Sequence, residues 1–139
     1  MLIRQRISWV CFFLFPLVAF SADEPSSYLK YEPARVSLKG RLVEKVFFGP
    51  PGYGEDPKND RKERQYILIL NAPINLEADR DNPSEKNVRE VTIVVLDFKK
   101  VPVKRYLDKA VRVDGTLFHA VTGHHNTPVL ITASRVEPQ

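Results

Sequence analysis

Cysteine is nearly absent from this chain: Cys11 is the only one among 139 residues. It lies in the middle of an apolar run near the amino terminus, residues 9–20 (WVCFFLFPLVAF). If that run is removed after synthesis, the remaining chain has no thiol at all. This excludes a disulfide framework and a cysteine nucleophile, so the folded part must be stabilised by its core.

The apolar run has the features of a cleavable signal peptide. Arg4 and Arg6 give a positive start, and the run is as long as the hydrophobic region of such peptides. Ala19 and Ser21 then supply small side chains at the third and first positions before a cleavage site. We therefore predict a signal peptide at residues 1–21, with cleavage near Ser21, and a periplasmic or secreted protein.

Two other interpretations of the run are a retained membrane anchor and a lipoprotein signal. The run is shorter than the roughly 20 apolar residues that span a bilayer, and Pro16 interrupts it. A lipoprotein cysteine ends the apolar run, whereas Cys11 lies inside it. Neither alternative fits as well, and we predict no stable membrane insertion after cleavage.

A strong excess of charge of one sign is also missing. Without Arg4 and Arg6, 19 of the 21 basic residues remain against 17 acidic ones, which is a net charge of +2. This near-neutral balance and the predicted export both argue against a nucleic-acid partner. The 118 residues that follow Ser21 suffice for one domain with a single core.

The remaining chain is predicted to contain a lead-in and one β domain. Residues 22–34 are polar and contain two prolines, which favours a flexible lead-in. From Val36 the pattern alternates with period two, which is typical of a half-buried strand. Apolar residues follow a strand pattern in five segments and a short-helix pattern in a sixth, and a long loop at 49–64 comes after the first segment. They are the strands 36–46, 66–70, 91–96, 110–118 and 128–136, with a short helix from Pro102 to Ala110 between the third and fourth strands.

This order predicts an all-β domain at residues 35–139. Five strands with one short helix between strands three and four is the order of an OB-fold, a five-stranded Greek-key barrel. Gly40 in the first strand and Gly115 in the fourth suit the bends that closing a barrel requires. In the first strand, the alternation predicts that the inward-facing apolar residues are Val36, Leu38, Leu42 and Val46.

All three histidines of the chain, His119, His124 and His125, lie within seven residues before the last strand. Neutral imidazole is a common ligand of zinc and copper, so a metal site is one interpretation of this segment. A structural zinc site needs four ligands and a catalytic one three. Besides Asp114, no further ligand is evident nearby.

The other interpretation of the segment is a hairpin that is structural or recognises a partner. In it, Gly123 would supply a positive φ, and the hydroxyls of Thr122 and Thr127 would bond the loop. Asn126 and, from the long loop, Tyr53 would extend the same surface. Acid–base catalysis by a histidine needs a nucleophile or a carboxylate within reach, and the sequence identifies none.

Three segments of the chain resemble a bacterial domain of unknown function found in secreted proteins. They are YEPARVSLKGRLVEKVFFGPPGYG (31–54), EKNVRE (85–90) and GTLFHAVTGHHNTPVL (115–130). Its members share a YEP…V-x-L-x-G start and a GTLFHA-x-TGHH-x-TPVL segment, often with a third histidine where this chain has Asn126. Some relatives join the domain to a segment similar to a lysozyme inhibitor, which implies an accessory or inhibitory role in the envelope.

These observations predict a binding module of the periplasm, without an identifiable catalytic constellation. Its partner would be an envelope protein or an incoming protein, and the module would bind it through the long loop and the histidine-bearing segment. The alternative is a metal-binding protein that holds zinc or copper through His119, His124 and His125. A hydrolytic enzyme is the third class left open.

Overall fold

The computed structural model describes residues 28–139, and the predicted signal peptide and residues 22–27 of the lead-in lie outside them. The described part is all-β, apart from one 3-10 turn. Its elements are β1 (Arg35–Phe48), β2 (Lys62–Leu76), β3 (Glu85–Val94), the 3-10 turn (Val103–Tyr106), β4 (Ala110–His119) and β5 (Val129–Pro138). Within residues 28–139, no helix is long and apolar enough to span a membrane.

The five strands form one mixed sheet that closes on itself, in the order β1-β2-β3-β5-β4 and back to β1. The pairs are antiparallel, except that β3 and β5 run parallel over the three residues 92–94 and 130–132. The strand that closes the sheet is β1. Residues 35–41 pair with β4, residues 40–48 pair with β2, and Gly40 and Arg41 pair with both.

Glycine is required where β1 passes from one neighbour to the other. A Cβ on Gly40 would collide with the backbone carbonyl of Ile69 on β2, which no side-chain movement can relieve. Gly115 on β4 meets the carbonyl of Thr132 on β5 in the same way, next to a register shift between Asp114 and Gly115. Both glycines therefore permit close backbone approach at bends of the closed sheet.

The core is formed by alternate residues of the strands. The inward positions predicted for Val36, Leu38 and Leu42 are confirmed, since Leu38 and Leu42 are buried and Val36 packs against the core. Tyr31 also belongs to the core, although it precedes β1, and its hydroxyl donates to the carbonyl of Pro83. Burial, with a smaller contribution from the carboxylates of Glu85 and Asp79, raises the pKa of Tyr31 to about 12.

The prediction that Val46 points into the core is wrong, because its side chain is 55% exposed. The reason is the length of the β1–β2 hairpin. β4 pairs with β1 only up to Arg41, and β3 pairs with β2 only from Tyr66 onward. The paired residues 45–48 and 62–65 therefore extend beyond the closed sheet as a two-stranded ribbon, which we call the arm.

Two further expectations need correction. The second and third strands are longer than the predicted ranges 66–70 and 91–96, because β2 continues to Leu76 and β3 starts at Glu85, with register shifts between them. The predicted helix is at the predicted place but consists of a single 3-10 turn, Val103–Tyr106. It ends there because Leu107 is extended, with a ψ of 138°, and Asp108 has a φ of 61°.

Replacing Gly40 by alanine should destabilise the fold strongly, by about 3 kcal/mol, because the added methyl meets backbone. Gly123→Ala is a matched control, since its Cβ would lie 3.3 Å from a side chain, the half-exposed ring of Tyr53, and not against backbone. We expect that control to cost less than about 1 kcal/mol. Urea unfolding measures both variants, and equal losses would contradict the role assigned to Gly40.

Candidate functional site

The 49–61 loop, at the tip of the arm, is organised by one buried carboxylate. Asp60 accepts hydrogen bonds from the backbone N–H groups of Gly52 (2.6 Å), Gly54 (2.7 Å) and Asp56 (3.2 Å). Backbone bonds from Gly49 to Arg61 and from Arg61 to the carbonyl of Pro50 close the base of the loop. The loop thus folds around Asp60 as a compact turn.

The environment of Asp60 favours its charged form. Burial alone would raise its pKa, but the three N–H donors together outweigh burial and hold the pKa of Asp60 below its usual value. A lowered pKa in the folded state means that this stabilisation is present above the unfolded-state pKa. It is lost as the pH falls through the folded-state value.

The 120–128 loop is fixed at its carboxyl end by a buried pair of threonines. The Oγ1 of Thr127 accepts from the backbone N–H of Thr92 (3.0 Å) and donates to the carbonyl of Val129 (2.7 Å). The Thr92 hydroxyl lies 2.8 Å from the same Oγ1. The Ala120 N–H donates to the carbonyl of Pro128 and closes the loop.

This loop lies over the outer face of the sheet. Ile67 on β2 and Leu130 on β5 are fully buried, yet both lie outside the core cluster. Thr92 is the partner of both in the sheet, and it is the residue bonded by Thr127. The 120–128 loop therefore covers a second, smaller apolar cluster on the side of β2 and β3 that faces away from the core.

The two loops meet at Tyr53 and His124. Their rings are 5.7 Å apart between centroids and stand edge to face, at 71°. His124 Nδ1 lies 2.9 Å from Glu63 Oε2, and its backbone carbonyl accepts from Gln65 Nε2 at 2.6 Å. Glu63 and Gln65 are on one face of the arm, because they are two residues apart on β2, and this face also carries their partners Phe47 and Lys45. The arm, the 49–61 loop and the 120–128 loop therefore share one surface.

The structure does not bring the three histidines together. His119 Nε2 lies 3.0 Å from Glu85 Oε1, its Nδ1 lies 2.9 Å from the Ala120 carbonyl, and its ring packs against Tyr31. His125 Nδ1 accepts from the backbone N–H of Val121 (2.9 Å), and its ring contacts Phe118. Within residues 28–139 no three His, Cys, Asp or Glu side chains are placed to hold a metal ion.

The remaining predicted site residues have mixed roles. Asn126 Nδ2 donates to the carbonyl of His124, and the carbonyl of Thr122 accepts from the His125 N–H. The expectation that Gly123 has a positive φ is wrong, because in residues 28–139 the only glycine with a positive φ is Gly54. Gly123 instead lies against the Tyr53 ring. Tyr53 itself has a φ of 50°, an unusual conformation for a residue with a bulky side chain.

The sequence did not identify Asp60, Glu63 and Gln65 as members of this site. The first two lie in a run of alternating charges where no pattern separates a buried carboxylate from a solvated one. The chemistry available at the site is also limited. Among residues 28–139, the hydrogen-bond partners of the His119 and His124 rings are carboxylates and a backbone carbonyl, and no hydroxyl is hydrogen-bonded to either ring.

The fold and the site thus define a small all-β domain with a closed mixed sheet and a surface built from two joined loops. A family model described as "Domain of unknown function (DUF4431)" matches residues 94–137. These residues contain the 3-10 turn, β4, the 120–128 loop and most of β5, about a third of the chain. Over that part, the chain is similar to a family whose function is not known. No curated protein matches the chain.

Thr127→Val should destabilise the protein by about 2 kcal/mol, because valine leaves the buried N–H of Thr92 without its acceptor. Thr122→Val is the control, since Thr122 is an exposed residue of the same loop and should change stability by less than about 0.5 kcal/mol. Thermal or urea unfolding of both variants decides. A Thr127→Val loss no larger than the control would show that the threonine pair does not hold the loop.

The order of the 49–61 loop should depend on the charge of Asp60. At neutral pH, Asp60→Asn should speed hydrogen exchange of the Gly52 and Gly54 amides, because an amide NH₂ replaces one acceptor oxygen. Glu55→Gln, an exposed change in the same loop, should not. In the unmodified protein, protection of these amides should persist below about pH 4, the ordinary aspartate range, and then disappear. Loss of protection well above that range would contradict this account.

Proposed function

We propose that the protein is an exported binding module with an OB-fold-like Greek-key barrel that recognises another protein through its two joined loops. The partner would be a protein of the cell envelope or one that arrives there, including a hydrolase that the module would inhibit. Export rests on the signal-peptide pattern of residues 1–21, and we propose the periplasm of a bacterium as the compartment.

The strand order supports an OB-fold-like barrel. β1 pairs with both β2 and β4, β3 pairs with β5, and the 3-10 turn lies between β3 and β4. OB-folds bind ligands on the face of strands 2 and 3 and through the loops between strands 1 and 2 and strands 4 and 5. Here these are the 49–61 and 120–128 loops, and the face between them carries the second loop as a cover.

The contact between Tyr53 and His124 is the observation that carries the proposal. It holds an aromatic side chain, 47% exposed, in a defined position where two ordered loops join. Val121 is 76% exposed on the same 120–128 loop. Exposed tyrosine side chains are among the groups that contribute most at protein interfaces, and on a pre-organised surface little conformational freedom is lost on binding.

No observation favours the zinc or copper alternative. The rings of His119, His124 and His125 have separate partners, and two of the rings are paired with different carboxylates, Glu85 and Glu63. Catalysis is not part of the proposal either, because in the described part of the chain no hydroxyl is hydrogen-bonded to the ring of either histidine–carboxylate pair. Each pair is explained by the loop or strand end that it positions.

Site-specific photo-cross-linking tests the proposed surface. A benzoylphenylalanine side chain placed at Tyr53 or at Val121 should give the same discrete adduct in an extract of the native host. The same group placed at Lys39, an exposed residue on β1 away from both loops, should give none. When benzoylphenylalanine is at position 53, an additional His124→Ala change should weaken the adduct, because the aromatic side chain at position 53 no longer packs against the His124 ring. Failure to form an adduct at both loop positions, or an equal adduct at Lys39, would sink the proposal.

A further inference from the structure

The other face of the arm is separate from the surface just described. Val46 and Phe48 lie on this inner face opposite Arg64 and Lys62, on the side of β1 and β2 that continues into the core. Both apolar side chains are exposed, although the strand pattern would bury them in an ordinary barrel. The arm therefore carries a short exposed apolar strip next to the core.

Below this face lies a cleft of about 440 Å³ between the arm and the 3-10 turn. Tyr66 and Phe98 form its aromatic wall, with ring centroids 6.4 Å apart in an edge-to-face arrangement. Val103, which is fully buried, and Pro102 form the base. The Phe98 side chain is 54% exposed, so one aromatic face is open to a ligand.

The charges around the cleft have one sign. Arg64, Lys104 and Arg105 line it, and none of the lining residues is acidic. Arg64 is partly neutralised by Glu44, whose Oε1 lies 3.0 Å from its Nη1. Lys104 and Arg105 are exposed, and neither forms an ion pair with any of residues 28–139. A ligand with carboxylates could therefore pair with these cations without displacing internal partners.

We infer that this cleft binds an acidic peptide segment, in which an aromatic or large aliphatic side chain is flanked by Asp or Glu. The apolar side chain packs on Phe98 and Tyr66, and the flanking carboxylates pair with Lys104, Arg105 and Arg64. Arginine and lysine at the edge of an apolar cleft give such a site charge complementarity, and the guanidinium groups can bind a carboxylate through two hydrogen bonds. This inference is independent of the function proposed for the Tyr53–His124 surface, which lies on the opposite face of the arm.

A peptide fits the cleft better than single-stranded nucleic acid does. Stacking of successive bases needs several open aromatic faces. Here the edge of one ring packs against the face of the other, in the edge-to-face pair of Tyr66 and Phe98. A phosphate headgroup would satisfy the cations but leave the apolar wall of Tyr66 and Phe98 without a partner. The combination of an apolar wall and a cationic rim matches both parts of an acidic, aromatic peptide.

Fluorescence anisotropy with a labelled pentapeptide tests the inference, using the protein expressed from its full coding sequence. The peptide has one phenylalanine between two pairs of glutamates. We expect saturable binding that weakens as sodium chloride is added. Replacing its glutamates by glutamine, or its phenylalanine by alanine, should weaken binding about tenfold, which corresponds to about 1.4 kcal/mol.

The protein variants separate this site from a general attraction of charges. Lys104→Gln combined with Arg105→Gln should weaken binding about tenfold, and Phe98→Ser about as much. Lys39→Gln combined with Lys86→Gln removes the same charge from exposed positions elsewhere and should leave binding unchanged. His124→Ala should also leave peptide binding unchanged, so the test of this cleft and the test of the proposed loop surface can have different outcomes. Equal binding of the glutamine peptide would overturn the inference. So would equal loss in the control pair, or preferential binding of oligothymidylate or anionic vesicles.

Discussion

The double pairing of β1 is the constraint on which the rest of the structure depends. Its first half completes the sheet with β4, its second half pairs with β2, and only Gly40 and Arg41 serve both neighbours. The two pairings occupy successive parts of β1 and overlap at only two residues. The carboxyl end of β1 therefore extends past the closed sheet. The arm, the loop at its tip and the cleft under its inner face are all consequences of that geometry.

The outer face of β2 and β3 shows how a buried polar contact can decide which surface is available. Ile67 and Leu130 would be exposed on an open sheet, and the 120–128 loop buries them. Thr127 fixes that loop by satisfying the N–H of Thr92, a group whose burial without a partner would cost about 1–3 kcal/mol. Because the loop covers this face, the loop itself is the exposed surface there, next to Tyr53 and the arm.

Local patterns in the sequence predicted the strands and the position of the short helical turn, because alternation and β-branched runs are local properties. They did not predict how far the strands extend. Val46 alternates like a core residue, but no third strand reaches it, and that absence depends on contacts between distant segments. The polar ends of β2 and β3 were missed for the same reason. At the site, histidine clustering along the chain suggested a shared ligand, but His119 at the end of β4 pairs with Glu85, and His124 in the 120–128 loop pairs with Glu63. Asp60 could not be distinguished from its charged neighbours, since its role depends on three N–H groups of a folded loop.

The central claim is that the 49–61 and 120–128 loops form one ordered surface in solution through Tyr53 and His124. Nuclear Overhauser effects from the ring protons of Tyr53 to the ring protons of His124 and to the Hα protons of Gly123 measure this contact directly, in protein labelled with ¹³C and ¹⁵N. The account predicts clear cross-peaks between the two loops, and their loss in Asp60→Asn as the 49–61 loop opens. Cross-peaks confined to each loop by itself, with Tyr53 averaging freely over its rotamers, would contradict it.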